Sequence, residues 1–332
     1  MRSEPSLSGR PRSRRRLLLL SVAAVLALLA TACDPAPPPA PPSPDPVRAI
    51  VFKGLGVWWD VYDWSPTFTG NRQKLGVADV DRLARNGVQT LYIQTASFRH
   101  PDVILDPTLL RRILDRAHSH GIRVVGWYLP EFNDVAYDLD RLVAIAQFGF
   151  DGLGIDIEST ANPDVAARSQ NLITESQFMR GVFPNLSIAA IPVTPVIWEE
   201  LNRSWWPNFP YQQLVPFYDA WMPMAYWSYR YCSFTNWYDA YRYTYESVVR
   251  LKALTRRPDL PVHPIGGEAT PTACTAGPNQ GLVPPATTGA DLFWMNAAMV
   301  DSGAIGGSIY DDNTTPSSLY DPLQQFRRDL VK

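Results

Sequence analysis

Cysteine and histidine are scarce in this sequence, with three and four copies among 332 residues. The histidines stand at 100, 118, 120 and 263, and the nearest pair, His118 and His120, is two apart near a helix end, where side chains diverge. That spacing gives no metal motif, and no metal site is expected. A Gly-x-Ser-x-Gly elbow is also missing, so the sequence offers no serine-hydrolase nucleophile. Gly54-Leu-Gly56-Val-Trp-Trp lies inside an apolar run and lacks the third glycine and the helix of a phosphate-binding fingerprint. No nucleotide or other cofactor is expected. Positive charge is not in excess either: the formal net charge is −2, a poor match for nucleic acid. The apolar run Leu17 to Ala30 is too short to span a bilayer comfortably.

That run belongs to an export signal. Arg12 to Arg16 supply a basic segment before it, and Ala30-Thr31-Ala32-Cys33 supplies a small-residue cleavage site. A signal that ends at a cysteine resembles the bacterial lipoprotein signal. The resemblance implies that Cys33 is lipidated, becomes the mature N-terminus and holds the protein on the outer face of the cytoplasmic membrane or at the cell surface. Arg14-Arg15 leaves twin-arginine export open beside the general route. Eight of the thirteen residues from Asp34 to Pro46 are proline, which predicts an extended spacer. The expected organisation is a signal over 1–33, a linker over 34–47 and one domain over 48–332. Without the signal, 24 basic side chains face 31 acidic ones, a formal charge of −7. Only Cys232 and Cys274 then remain, and outside the cytosol such a pair predicts a disulfide.

Apolar runs alternate with helical patterns along the rest of the chain. Strands are predicted near Ile50 to Trp58, Thr90 to Gln94, Arg123 to Tyr128, Gly152 to Ile157, Leu186 to Ile191, Ala220 to Tyr226, Val262 to Ile265 and Ala304 to Tyr310. Between the second and third, Asp106-Pro107 reads as a cap with proline in the first turn, and Leu110, Ile113, Leu114 and Ala117 form one apolar stripe. Gly87, Gly121, Gly149 and Gly303 sit where left-handed C-caps are expected. Eight βα units predict a single (β/α)8 TIM barrel of the α/β class. Cys232 and Cys274 then fall in neighbouring loops on one rim, so their bridge should cross the face where such barrels keep their chemistry.

The fourth strand carries the most information. In Asp151-Gly-Leu-Gly-Ile-Asp156-Ile-Glu158, alternation turns Leu153, Ile155 and Ile157 one way and Gly152, Gly154, Asp156 and Glu158 the other. Two carboxylates therefore reach the carboxyl end of the barrel together. Other strand ends bring Trp58, Trp59, Tyr128, Tyr226, Trp227, Glu268, Tyr310, Asp311 and Asp312 to the same face. Acids ringed by aromatic groups suit a sugar-cleaving cleft, because sugar faces stack on rings while a protonated carboxyl donates to the glycosidic oxygen. Taken singly, each aromatic residue also reads as core packing. Five of the eleven tryptophans, Trp205, Trp206, Trp221, Trp227 and Trp237, crowd around the sixth strand.

Asp151-x-x-Gly154-x-Asp156-x-Glu158 resembles the fourth-strand signature Asp-x-x-Asp-x-Asp-x-Glu of glycoside hydrolase family 18, the chitinase-like barrels. Tyr226, after Met224-Ala225, is similar to that family's sixth-strand tyrosine. The resemblance implies that Glu158 is the general acid, that Asp156 orients a 2-acetamido group, and that Tyr226 holds the acetamido carbonyl as it attacks the anomeric carbon. The sequence departs from the pattern at three places. Gly154 replaces the middle aspartate, Trp227 the acid after the tyrosine, and Tyr310 the eighth-strand tryptophan. Trp58, Trp59, Tyr128, Trp227, Glu268, Tyr310 and Asp311 are the expected substrate-binding residues. A retaining glycosidase with Glu268 as nucleophile stays open, as does a glycan-binding protein that does not cleave. Either way the expected partner is a carbohydrate, met by a monomer.

Overall fold

The computed structural model describes residues 45–268 and 270–327. The expected signal over 1–33, the lipidation site Cys33 and the proline-rich segment as far as residue 44 lie outside the described residues. A turn of helix over Pro46–Ala49 opens the described chain, with Asp45 accepting from the Val47 amide.

Eight parallel strands follow: β1 Gly54–Trp59, β2 Thr90–Gln94, β3 Arg123–Tyr128, β4 Gly152–Ile157, β5 Ser187–Pro192, β6 Ala220–Trp221, β7 Ile265–Gly266 and β8 Gly306–Ile309. They pair in the order β6-β5-β4-β3-β2-β1-β8-β7. Two isolated parallel bridges, Trp221 with Val262 and Met224 with Ile265, link β6 to β7 and bring the curled sheet round on itself. This is the expected α/β TIM barrel. Every predicted strand is present, and the longest differences lie at β1, β6 and β7. The first begins four residues later than expected because Ile50–Phe52 winds into a 3₁₀ turn. Pro223 and Pro264 donate no hydrogen bond, which keeps the sixth and seventh ladders short.

Six long helices cover the strands: Val77–Arg85, Pro107–Ser119, Val135–Phe148, Val165–Val182, Ala240–Leu254 and Gly289–Ser302. The stripe Leu110, Ile113, Leu114 and Ala117 is buried as its spacing predicts. Asp106 does not cap that helix. Its carboxylate accepts from Ser65 and Thr67 instead. Gly149 and Gly303 end their helices at φ of 104° and 66°, where a Cβ would be strained. Among the described residues, no long helix follows β5 or β8. Pro195, Pro207, Pro210 and Pro216 break the first of these connections, and Pro316 and Pro322 the second, into short turns.

Leu153, Ile155 and Ile157 are fully buried under the helices, as β4 alternation requires. Asp151, which opens the signature, sits at the far end of β4, accepting from the Val124 amide and lying 2.9 Å from His118 Nε2. Its role is to anchor the strand.

Cys232 and Cys274 are bonded, with Cα atoms 5.3 Å apart, joining the loops that follow β6 and β7. Gly277 lets the second loop approach: at its φ of 89°, a Cβ would fall 2.2 Å from the Cys232 carbonyl oxygen. Closing 42 residues contributes about 4 kcal/mol in the chain-entropy model.

Candidate active site

A cleft of about 320 Å³ opens at the carboxyl end of the strands. Asp156 on β4 and Glu158 just after it, Trp58 on β1 and Asp60 just after it, Trp127 from β3, Tyr226 after β6 and Tyr310 after β8 all line it. Ile191, Met224 and Ile265 supply apolar surface, and Tyr62, Phe98 and Arg99 belong to the same wall.

Asp156 is almost wholly buried, and its Oδ1 has no hydrogen-bond partner among the described residues. Burial pushes its carboxyl well above the ordinary range, and the charge of Glu158 adds to this. Burial also raises Glu158, which keeps some exposure to the cleft. The Trp205 indole donates to the Glu158 carbonyl oxygen at 3.0 Å and fixes the chain at the strand's end. Burial, then Asp156 and Glu158, raise the Tyr226 phenol, so it remains a hydrogen-bond donor. Its ring lies 5.7 Å from that of Tyr310. These groups can present a protonated carboxyl, a second acid and a phenol donor to one ligand.

Gly154 fits this arrangement through its lack of a side chain. It lies beside Trp127 in the β3–β4 register, and a Cβ there would come within 2.7 Å of Ile191 and 3.0 Å of Trp127. The Ile191 side chain and the Trp127 Cβ fill the space that an aspartate at this position would need.

Several expected binding residues stand elsewhere. Tyr128 is fully buried and donates to Asp138 on the helix Val135–Phe148, at 2.6 Å; its neighbour Trp127 faces the cleft. Trp59 donates to Asp312, which also pairs with Arg82 on the helix Val77–Arg85. Trp227 packs against Gly266 and Gly267, outside the cleft lining. Glu268 does not line the cleft either. It hydrogen-bonds Tyr229, which does, and its backbone amide donates to Ser228. Strand alternation explains the first two: only one of two consecutive residues can face inward. Most tryptophans of the aromatic crowd, Trp206, Trp221, Trp227 and Trp237, are core residues.

Asp311 lies beside the cleft lining. One oxygen each from Asp60, Asp63 and Asp311 fall within 4.8 Å of one another, the group among the described residues that could hold a metal ion. The sequence had given no sign of such a cluster, because Asp311 joins it from the opposite end of the chain. Burial raises all three carboxyls, Asp63 to about 7.

No family model and no curated protein matches the sequence. Solved structures do match the fold. A class V chitinase from Pseudomonas fluorescens Pf-5 is 12% identical, with a TM-score of 0.58 over 82% of this chain and 99% of that one. The spore cortex-lytic enzyme SleL of Bacillus cereus is 11% identical, also at 0.58, over 83% and 75%. Human YKL-39, described as a pseudo-chitinase that retains chitooligosaccharide binding, is 10% identical at 0.55, over 82% and 98%. The barrel is thus of the chitinase-like kind in fold, at identities that carry the fold alone.

Proposed function

We propose that this protein is a glycoside hydrolase acting on a polysaccharide or cell-wall glycan, with Glu158 as proton donor and Asp156 and Tyr226 serving the substrate's acetamido group. The observation that carries this reading is the convergence of Asp156, Glu158, Tyr226 and Tyr310 on one cleft that Trp58 and Trp127 also line. A buried carboxyl with a raised pKa is protonated where an ordinary one is not, which is what protonation of a leaving oxygen requires. Asp156, with an oxygen that has no hydrogen-bond partner among the described residues, is free to accept from an acetamido nitrogen. Tyr226 supplies a donor to the acetamido oxygen, and that oxygen replaces a protein nucleophile. Glu268 lies outside the cleft lining, which favours this route over a covalent intermediate on that residue.

Hydrolysis should therefore require an N-acetylated sugar on the non-reducing side of the cleaved bond, and a thiazoline analogue should inhibit. Asp156→Asn should lower kcat nearly as much as loss of Glu158. A panel of defined oligosaccharides, acetylated and not, decides it: equal turnover of both sets would remove acetamido assistance.

The same proposal places the enzyme outside the cytoplasm, tethered through lipid on Cys33. It rests on the signal pattern before the barrel. Cys33→Ser should release the protein from the membrane fraction, and an unlipidated wild type in the medium would end that part of the reading.

A further inference from the structure

The loop after β1 brings a carboxylate into the cleft wall that the chemistry above does not use. Asp60 Oδ1 accepts from the Tyr62 amide at 2.7 Å and so caps the short helix Val61–Trp64. Its other oxygen, Oδ2, accepts from the Tyr310 hydroxyl at 3.1 Å, across 250 residues of sequence. Tyr310 in turn lies against Tyr226 with ring centroids 5.7 Å apart and planes inclined at 49°. All three residues line the same cleft as Asp156 and Glu158. An aromatic ring in van der Waals contact with a neighbour can still turn about its side-chain bonds, and a hydrogen bond at the far end of the ring removes that freedom.

The rest of the loop holds the carboxylate in place. The Asp60 amide donates to Asp63 Oδ2 at 3.4 Å, completing a capping box. The Val61 amide donates to Gln94 Oε1 at the end of β2, and Trp64 donates to the Gln94 carbonyl oxygen. Asp60 therefore stands on a turn pinned to a neighbouring strand, with no freedom to follow a moving tyrosine. The rigid partner is the acid, and the ring is what it fixes.

We propose that Asp60 is a positioning residue: by holding the Tyr310 hydroxyl it fixes the Tyr310 ring, and through it Tyr226, in the place where the cleft meets its sugar. The proposal rests on the glycosidase reading for its kinetic consequence but on the hydrogen bond and the ring contact for its geometry. It also gives Tyr310 a purpose that a tryptophan in its place could not serve, since an indole reaches no acceptor at that point with a hydroxyl.

A double-mutant cycle tests it. Asp60→Ala and Tyr310→Phe should each lower kcat about tenfold with KM changed less than threefold, and the double variant should be no slower than the worse single one. Tyr310→Phe leaves the helix cap untouched, so a matching loss there separates positioning from damage to the turn. Asp60→Asn keeps an oxygen for the Tyr62 amide, and its NH2 group in the place of Oδ2 can donate to the Tyr310 hydroxyl oxygen, so it should recover most of the rate. Additive losses, or an Asn variant as slow as the Ala one, would overturn the proposal and make Asp60 a direct substrate contact or a fold residue. Should the wild type bind chitotetraose without cleaving it, the glycosidase reading fails and the same cycle is read on Kd. Crystal structures of wild type and Asp60→Ala decide the geometry in every case: an unchanged Tyr310–Tyr226 separation and tilt in the variant would refute the positioning role, whatever the protein does to glycans.

Discussion

Glu158→Gln should lower kcat by about 10² to 10⁴-fold, the range that general acid catalysis supplies, while oligosaccharide affinity stays within a fewfold of wild type. Glutamine keeps the length of the side chain and can still donate a hydrogen bond, so binding contacts survive. It cannot release a proton to the leaving oxygen. The surroundings make the comparison clean, because the Trp205 indole holds the backbone at Glu158 and not its carboxylate. A second consequence follows from the electrostatics. Burial raises Asp156 first and the charge of Glu158 second, so the amide variant should bring the Asp156 carboxyl down toward the ordinary range. In wild type the alkaline limb of kcat/KM should lie above the ordinary glutamate range, since burial raises the acid that must be protonated. Steady-state kinetics with isothermal calorimetry on the same oligosaccharide read all three effects. A Glu158→Gln protein that still turns over at the wild-type rate would end the assignment. A wild type that binds and never cleaves would put this chain on the side of the glycan binders.

How much of this site was legible in the sequence depends on the period of two in a strand. Three consecutive pairs were read as facing the ligand together, Trp58 with Trp59, Tyr226 with Trp227 and Tyr310 with Asp311, and Tyr128 was read in place of its neighbour Trp127. In each pair the first residue lines the cleft and the second does not. The alternation that set Asp156 and Glu158 on the inner face of β4 applies equally to β1, where Gly54, Gly56, Trp58 and Asp60 share a face. Applied there, it would have found Asp60. The large-small match of Trp127 with Gly154 was beyond reach, since it depends on the β3–β4 register, which no local pattern supplies. The tryptophan count misled for a different reason. Seven of the eleven, among them Trp64, Trp198 and Trp206, are the largest fully buried side chains, because a ring that size pays best when removed from water. The eight strands and the disulfide were readable because they rest on apolar runs and on rim position alone.

Glu175→Met should raise stability at pH 8 by several kcal/mol and do much less at pH 5. Glu175 lies on the helix Val165–Val182, is fully buried, and neither of its carboxyl oxygens has a hydrogen-bond partner among the described residues. Burial, with the nearby Asp138 adding to it, raises its pKa from 4.5 to about 9. The folded protein therefore binds this proton more tightly than the unfolded chain. Between the two values the native state carries more protons, so stability is complete below the unfolded pKa and falls as pH rises, by about 1.4 kcal/mol per unit, until the folded pKa is passed. From pH 5 to pH 8 that is a loss of about 4 kcal/mol from one side chain. Methionine keeps a similar length and volume and has nothing to titrate, so the difference in unfolding free energy between variant and wild type should widen by that amount across the interval. Asp63, Asp138 and Asp156 are also raised and contribute a slope of the same sign, which is why the difference between the two proteins is the quantity to read. Urea denaturation at the two pH values measures it. A difference that stays constant would mean that Glu175 is ionised in the native protein and has found a partner, and the buried neutral acid would have to be abandoned.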